Sequence, residues 1–122
     1  MRKHALSKNE RLALDRFAKK VKQALGDSLK QMVLFGSRAR GDDEPDSDLD
    51  ILVIVEQETW EVRDAVSLAA SRVSLAEGIL VSPKVIGQAR WEDMHVFSLR
   101  QNVQREGLKL SLEEGQLSLS PL

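Results

Sequence analysis

The chain contains no cysteine among its 122 residues. Disulfides and thiolate zinc sites are therefore excluded. It has two histidines, His4 and His95, too few and too far apart in sequence to suggest an imidazole metal site. Charges interrupt every apolar stretch, so no segment reads as a membrane span and no membrane partner is expected. The start, Met1-Arg2-Lys3-His4, is basic but lacks the apolar core of a signal peptide, and a cytoplasmic protein is expected. There is no surplus of positive charge either: 18 Lys and Arg face 19 Asp and Glu, for a net charge of −1. A general nucleic-acid binder would usually carry a basic surplus, so nucleic acid is not expected as a general partner. A nucleotide site needs only a few local charges and stays open.

What is present fits one compact domain that can bury a core without staples. Ser7 to Leu25 reads as a helix, with Ser7 as N-cap and Glu10 as its capping-box partner. Gln31 to Phe35 and Leu49 to Val55 read as buried strands. Trp60 to Glu77 reads as a second helix that Gly78 caps. Ile79 to Ile86 reads as a third strand, with Pro83 marking an edge or a bulge. Gln88 to Arg105 reads as helical with a break near His95 to Ser98, and Leu108 to Leu112 alternates like a short fourth strand. Trp60 and Trp91 are expected to pack on the sheet or at an interface. The expected fold class is α/β, a small mixed sheet flanked by helices, with the domain over 1–112. Residues 113–122 are expected to be a mobile tail unless a partner or the neighbouring strand holds them.

The chemistry concentrates between Phe35 and Val53. Asp48 and Asp50 stand two apart at the start of an apolar strand, so both carboxylates share one face while Leu49 takes the other. Two adjacent carboxylates repel, and a divalent cation between them relieves that repulsion. Oxygen donors of this kind suit Mg²⁺. Gly36, at the end of a strand, lets backbone approach a ligand closely. Ser37 can cap a helical turn whose N–H groups face a phosphate, and Arg38 and Arg40 can neutralise phosphate charge. The acidic run of Asp42, Asp43, Glu44 and Asp46 reads as a solvated turn.

This arrangement resembles the signature of the DNA polymerase beta-type nucleotidyltransferases: Gly-Ser, ten residues, then Asp-x-Asp. Here it runs Gly36, Ser37, then 38–47, then Asp48-Leu49-Asp50, with Ala39, Arg40, Gly41 and Ser47 also matching the extended form. Ile51 departs from its final leucine. The chain length is similar to that of the minimal members, some of which are antitoxins paired with helical HEPN toxins. The resemblance implies a nucleotidyltransferase-like fold, with Asp48 and Asp50 as catalytic ligands of Mg²⁺ (or Mn²⁺), and Gly36, Ser37, Arg38 and Arg40 as nucleotide-binding residues. It implies transfer of a nucleoside monophosphate from a nucleoside triphosphate, ATP foremost, to a hydroxyl on a partner protein or other acceptor. A HEPN-type partner or a homodimer is the expected assembly. Active members also carry a third carboxylate on a later strand. The stretch Ile79 to Ile86 holds none, and Ser82 or Lys84 falls where it is expected. That departure implies a second reading, a catalytically weak member acting as the binding partner or antitoxin of a HEPN-type toxin.

Overall fold

The structure is a computed structural model that describes residues 6–36, 39 and 48–122. Helix α1 spans Lys8–Leu25, and its start is the expected capping box. The Glu10 N–H donates to the Ser7 hydroxyl at 3.1 Å and the Ser7 N–H donates to the Glu10 carboxylate at 2.8 Å. These bonds satisfy two of the N–H groups that a helix start leaves orphaned. A 3₁₀ turn at Gly26–Ser28 leads into β1, Leu29–Phe35. Strand β2 is Leu49–Val55 and helix α2 is Trp60–Glu77. Thr59 caps α2, and Gly78 ends it in the left-handed region, φ 70°, where glycine meets no Cβ clash. Strand β3, Val81–Gly87, precedes two short helices, α3 at Gln88–Asp93 and α4 at Ser98–Glu106. Strands β4, Leu108–Glu113, and β5, Gln116–Pro121, close the chain.

The sheet order is β3-β2-β1-β4-β5. Strands β1 and β2 pair antiparallel, and β2 and β3 pair parallel through the α2 crossover. Pro83 lies in β3 at the sheet edge, where its missing N–H costs no ladder bond. Leu49, Ile51, Val53 and Val55 pack into the main core, which the buried faces of α1 and α2 cover. Leu52 and Ile54 alternate onto the second face, where Ile86, Trp91, Met94 and Val103 form a smaller core. Arg100 lies over the Trp91 ring, 5.1 Å from its centroid, and ties α4 to α3.

The α/β class and the mixed sheet flanked by helices are as the sequence implies. One expectation changes. Residues 116–121 are not a loose tail: they pair along β4, with Leu117 and Leu119 packed against the main core. Trp91 packs as expected, whereas Trp60 is 72% exposed at the start of α2.

Candidate functional site

The site lies on the second face of the sheet, beyond the end that α3 and α4 cover. Asp48 precedes β2 and Asp50 is its second residue; both are half-buried. Leu49 between them is fully buried in the main core, which holds the two carboxylates to the opposite, open face. Asp50 sits between two strands, opposite Phe35 of β1 and opposite Ser82 of β3. Each neighbour contributes. On the β1 side, Gly36 follows Phe35 with φ 81°. A Cβ there would stand 2.6 Å from Asp50 Oδ2, so only a glycine lets this backbone reach the carboxylate. The Gly36 carbonyl accepts from the Ala39 N–H at 3.1 Å. On the β3 side, the Ser82 hydroxyl donates to Asp48 Oδ2 at 3.2 Å.

Burial raises the Asp50 carboxyl above its ordinary range, the adjacent Asp48 raises it further, and Lys84 pulls it back. A pair whose own charge is a cost suits an added cation. The donor set, carboxylate oxygens on an open face, fits Mg²⁺ or Mn²⁺. Among the described residues no third His, Cys, Asp or Glu joins the pair. Ser82 is therefore the residue beside the aspartates where the third acid was expected, with exposed Lys84 two residues further along the same face. Glu77 pairs with Arg16 at 3.0 Å in the helix layer of the other face. Ser37, Arg38 and Arg40, together with Gly41 to Ser47, lie outside the described residues.

One cluster at the other end of β2 and β3 has no sequence signal. Glu58, between β2 and α2, accepts from the Gly87 N–H at 2.7 Å and from Arg90 at 2.9 and 2.7 Å, and it pairs with Arg63. Burial alone would raise the Glu58 carboxyl; the bonds from Gly87, Arg90 and Arg63 outweigh it and hold the carboxyl below its ordinary range. These four residues are scattered along the chain, and only the fold joins them.

A positive-φ glycine at one strand end lies against a carboxylate pair on the next, on a mixed sheet of nucleotidyltransferase-like order. The model of the family described as nucleotidyltransferase domain matches residues 14–115, and the chain belongs to that family. Two proteins of Methanocaldococcus jannaschii named "Putative protein adenylyltransferase" are similar to it. One is 43% identical over 68 residues, covering 55% of this chain and 69% of the relative. The other is 29% identical over 99 residues, covering 81% and 95%. Among solved structures, one described as a "putative minimal nucleotidyltransferase" shares 25% identity at a TM-score of 0.50, covering 85% of this chain and 97% of that one. A toxin–antitoxin structure with AMP-PNP shares 20% identity at a TM-score of 0.53, covering 78% and 70%, and agrees in fold. The protein is a nucleotidyltransferase.

Proposed function

We propose that the chain is a metal-dependent protein adenylyltransferase that moves AMP from ATP to a hydroxyl on a partner protein. The observation that carries this reading is the convergence of Asp48, Asp50 and the Gly36 backbone on one open end of the sheet. The names of the two Methanocaldococcus jannaschii relatives support protein as the acceptor. Asp48 and Asp50 would hold Mg²⁺ or Mn²⁺, which when bound supplies positive charge to the phosphates and to the oxygens entering and leaving. Gly36, with Ser37, Arg38 and Arg40, is assigned to the phosphates. In the step itself the acceptor oxygen bonds to the α-phosphorus as the bond from that phosphorus to the α–β bridging oxygen breaks. Pyrophosphate leaves with the electron pair, and the hydroxyl proton passes to water.

The test is calorimetric titration with ATP in Mg²⁺, beside the Asp48→Asn/Asp50→Asn double variant and an EDTA control. Metal-dependent binding that the double variant loses is expected. Folded wild-type protein that takes up no nucleotide would overturn the assignment of the site.

Ser82 in the place of an acid favours a second reading, a weak enzyme that acts by covering a HEPN-type toxin. One structural neighbour is a toxin–antitoxin complex, MntA-HpeT, 18% identical at a TM-score of 0.52. On that reading Asp48→Asn leaves neutralisation of the partner intact, and its loss would sink the idea.

A further inference from the structure

Alternation along β3 turns Ser82, Lys84 and Ile86 to one face of the sheet and Val81 and Val85 to the other. Val81 and Val85 meet the main core and Ile86 the second, so Lys84 lies on the face that carries the aspartates. It stands opposite Leu52, as Ser82 stands opposite Asp50, and it is exposed. Two residues along a strand span about 7 Å, a distance that the flexible four-carbon stem of a lysine largely bridges. Its charge is felt at the pair: burial and then Asp48 raise the Asp50 carboxyl, and Lys84 opposes them. Two other cations near this edge are committed elsewhere, since Arg63 and Arg90 both pair with Glu58 at the far end of β2 and β3. Among the described residues no carboxylate forms an ion pair with Lys84.

We infer that Lys84 binds the nucleotide, its ammonium donating to phosphate oxygens beside a single divalent cation and supplying the positive charge that a second cation would otherwise bring. The inference rests on the proposed adenylyl transfer and adds a residue to that site. A triphosphate brings several negative charges to a face that already holds two carboxylates. Asp48 and Asp50 offset part of this by holding one cation. Their neighbour is Ser82, and among the described residues no third His, Cys, Asp or Glu stands ready for another. Charge on the phosphate oxygens during transfer then calls for further positive charge fixed in place. Lysine suits that task as a compact point charge with three donors, and it keeps its protons throughout the step. The same charge acts in the opposite sense on the carboxylate pair alone. Without nucleotide, an ammonium near Asp50 repels an incoming cation; with nucleotide, it helps to hold the complex.

The test uses the full chain and α,β-methylene-ATP, a probe that cannot release pyrophosphate. In calorimetry with Mg²⁺, Lys84→Ala should bind the probe about tenfold more weakly than the wild type, while Lys84→Arg, which keeps the charge, should retain most of the affinity. Mn²⁺ alone, followed by electron paramagnetic resonance, should bind Lys84→Ala severalfold more tightly than the wild type. With the probe present, the wild type should hold a single Mn²⁺ per chain. A merely structural lysine would not move the two affinities in opposite directions. Equal binding of the probe by Lys84→Ala and wild type, or a fall in both affinities, overturns the role of Lys84 and leaves the nucleotide site standing. A second Mn²⁺ per chain in the wild-type complex also overturns it. Absence of probe binding by the wild type instead removes the reading on which the inference rests.

Discussion

The Ser82 hydroxyl donates to Asp48 Oδ2 across 3.2 Å, linking the edge strand β3 to the residue just before β2. The bond orients one of the two candidate metal ligands. Ser82→Ala should leave the fold intact and weaken Mg²⁺ about tenfold, the scale of lost outer partners at metal sites. Ser82→Asp places a third carboxylate beside the pair and should raise Mg²⁺ affinity and adenylyl transfer. Isothermal titration with Mg²⁺ reads the first effect, and transfer of radiolabelled AMP reads the second. An aspartate variant with weaker metal binding than the wild type would refute the assignment of this position.

Gly36→Ala is expected to be far more harmful than its size suggests. The position has φ 81°, and the new methyl would meet Asp50 Oδ2 at 2.6 Å. Strain and the displaced carboxylate together should cost about 1–3 kcal/mol and abolish ATP binding. Thermal melts and calorimetry check both, and a variant with wild-type stability would show that the backbone is not held there.

Asp50 gives the metal-free protein a defined pH response. Its carboxyl is raised by burial, then by Asp48, with Lys84 opposing. The folded state keeps the proton more tightly than the unfolded chain. Its contribution to stability is full below the ordinary aspartate range and is lost as pH rises through the raised value. Asp50→Asn should flatten this part of the profile and make the protein more stable than wild type at neutral pH in EDTA. Superimposable melting profiles for the two proteins across the acid range would contradict the pair's electrostatic cost.

Glu58 should behave in the opposite sense. Despite its burial, bonds from Gly87, Arg90 and Arg63 lower its carboxyl. Its stabilisation is full above the ordinary glutamate range and is lost as pH falls through the lowered value. Glu58→Gln should cost about 1–2 kcal/mol at pH 7, with the gap to wild type closing in acid. Urea unfolding at neutral and acid pH measures it, and a gap that persists at the lowest pH would mean packing, not charge, is the cause.

Much of the fold was legible because its signals are local. The Ser7–Glu10 box, the apolar run from Leu49 to Val55 and the Gly78 stop each act within a few residues of chain. The same holds for Gly36, Asp48 and Asp50, whose spacing follows from adjoining strands. Strand β5 was missed for a local reason. Its turn carries Glu114 at φ 55° and Gly115 at φ 78°, and that pair of positive angles suits a tight hairpin. Glu-Gly is a weaker form of the Asp-Gly signal, and the alternation of Leu117 and Leu119 with polar neighbours was the remaining clue.

The sequence by itself determined the elements and the carboxylate pair, because hydrophobic period, caps and the side-to-side alternation of a strand are properties of neighbouring residues. Tertiary structure alone decided what surrounds that pair. Parallel pairing of β2 with β3 in one register brings Ser82, rather than an acid, to Asp48. The same crossover gathers Glu58, Arg63, Gly87 and Arg90 into one cluster. Such contacts join residues far apart in the chain, and their register is set by burying β2 on both faces at once, which no short window of sequence can express.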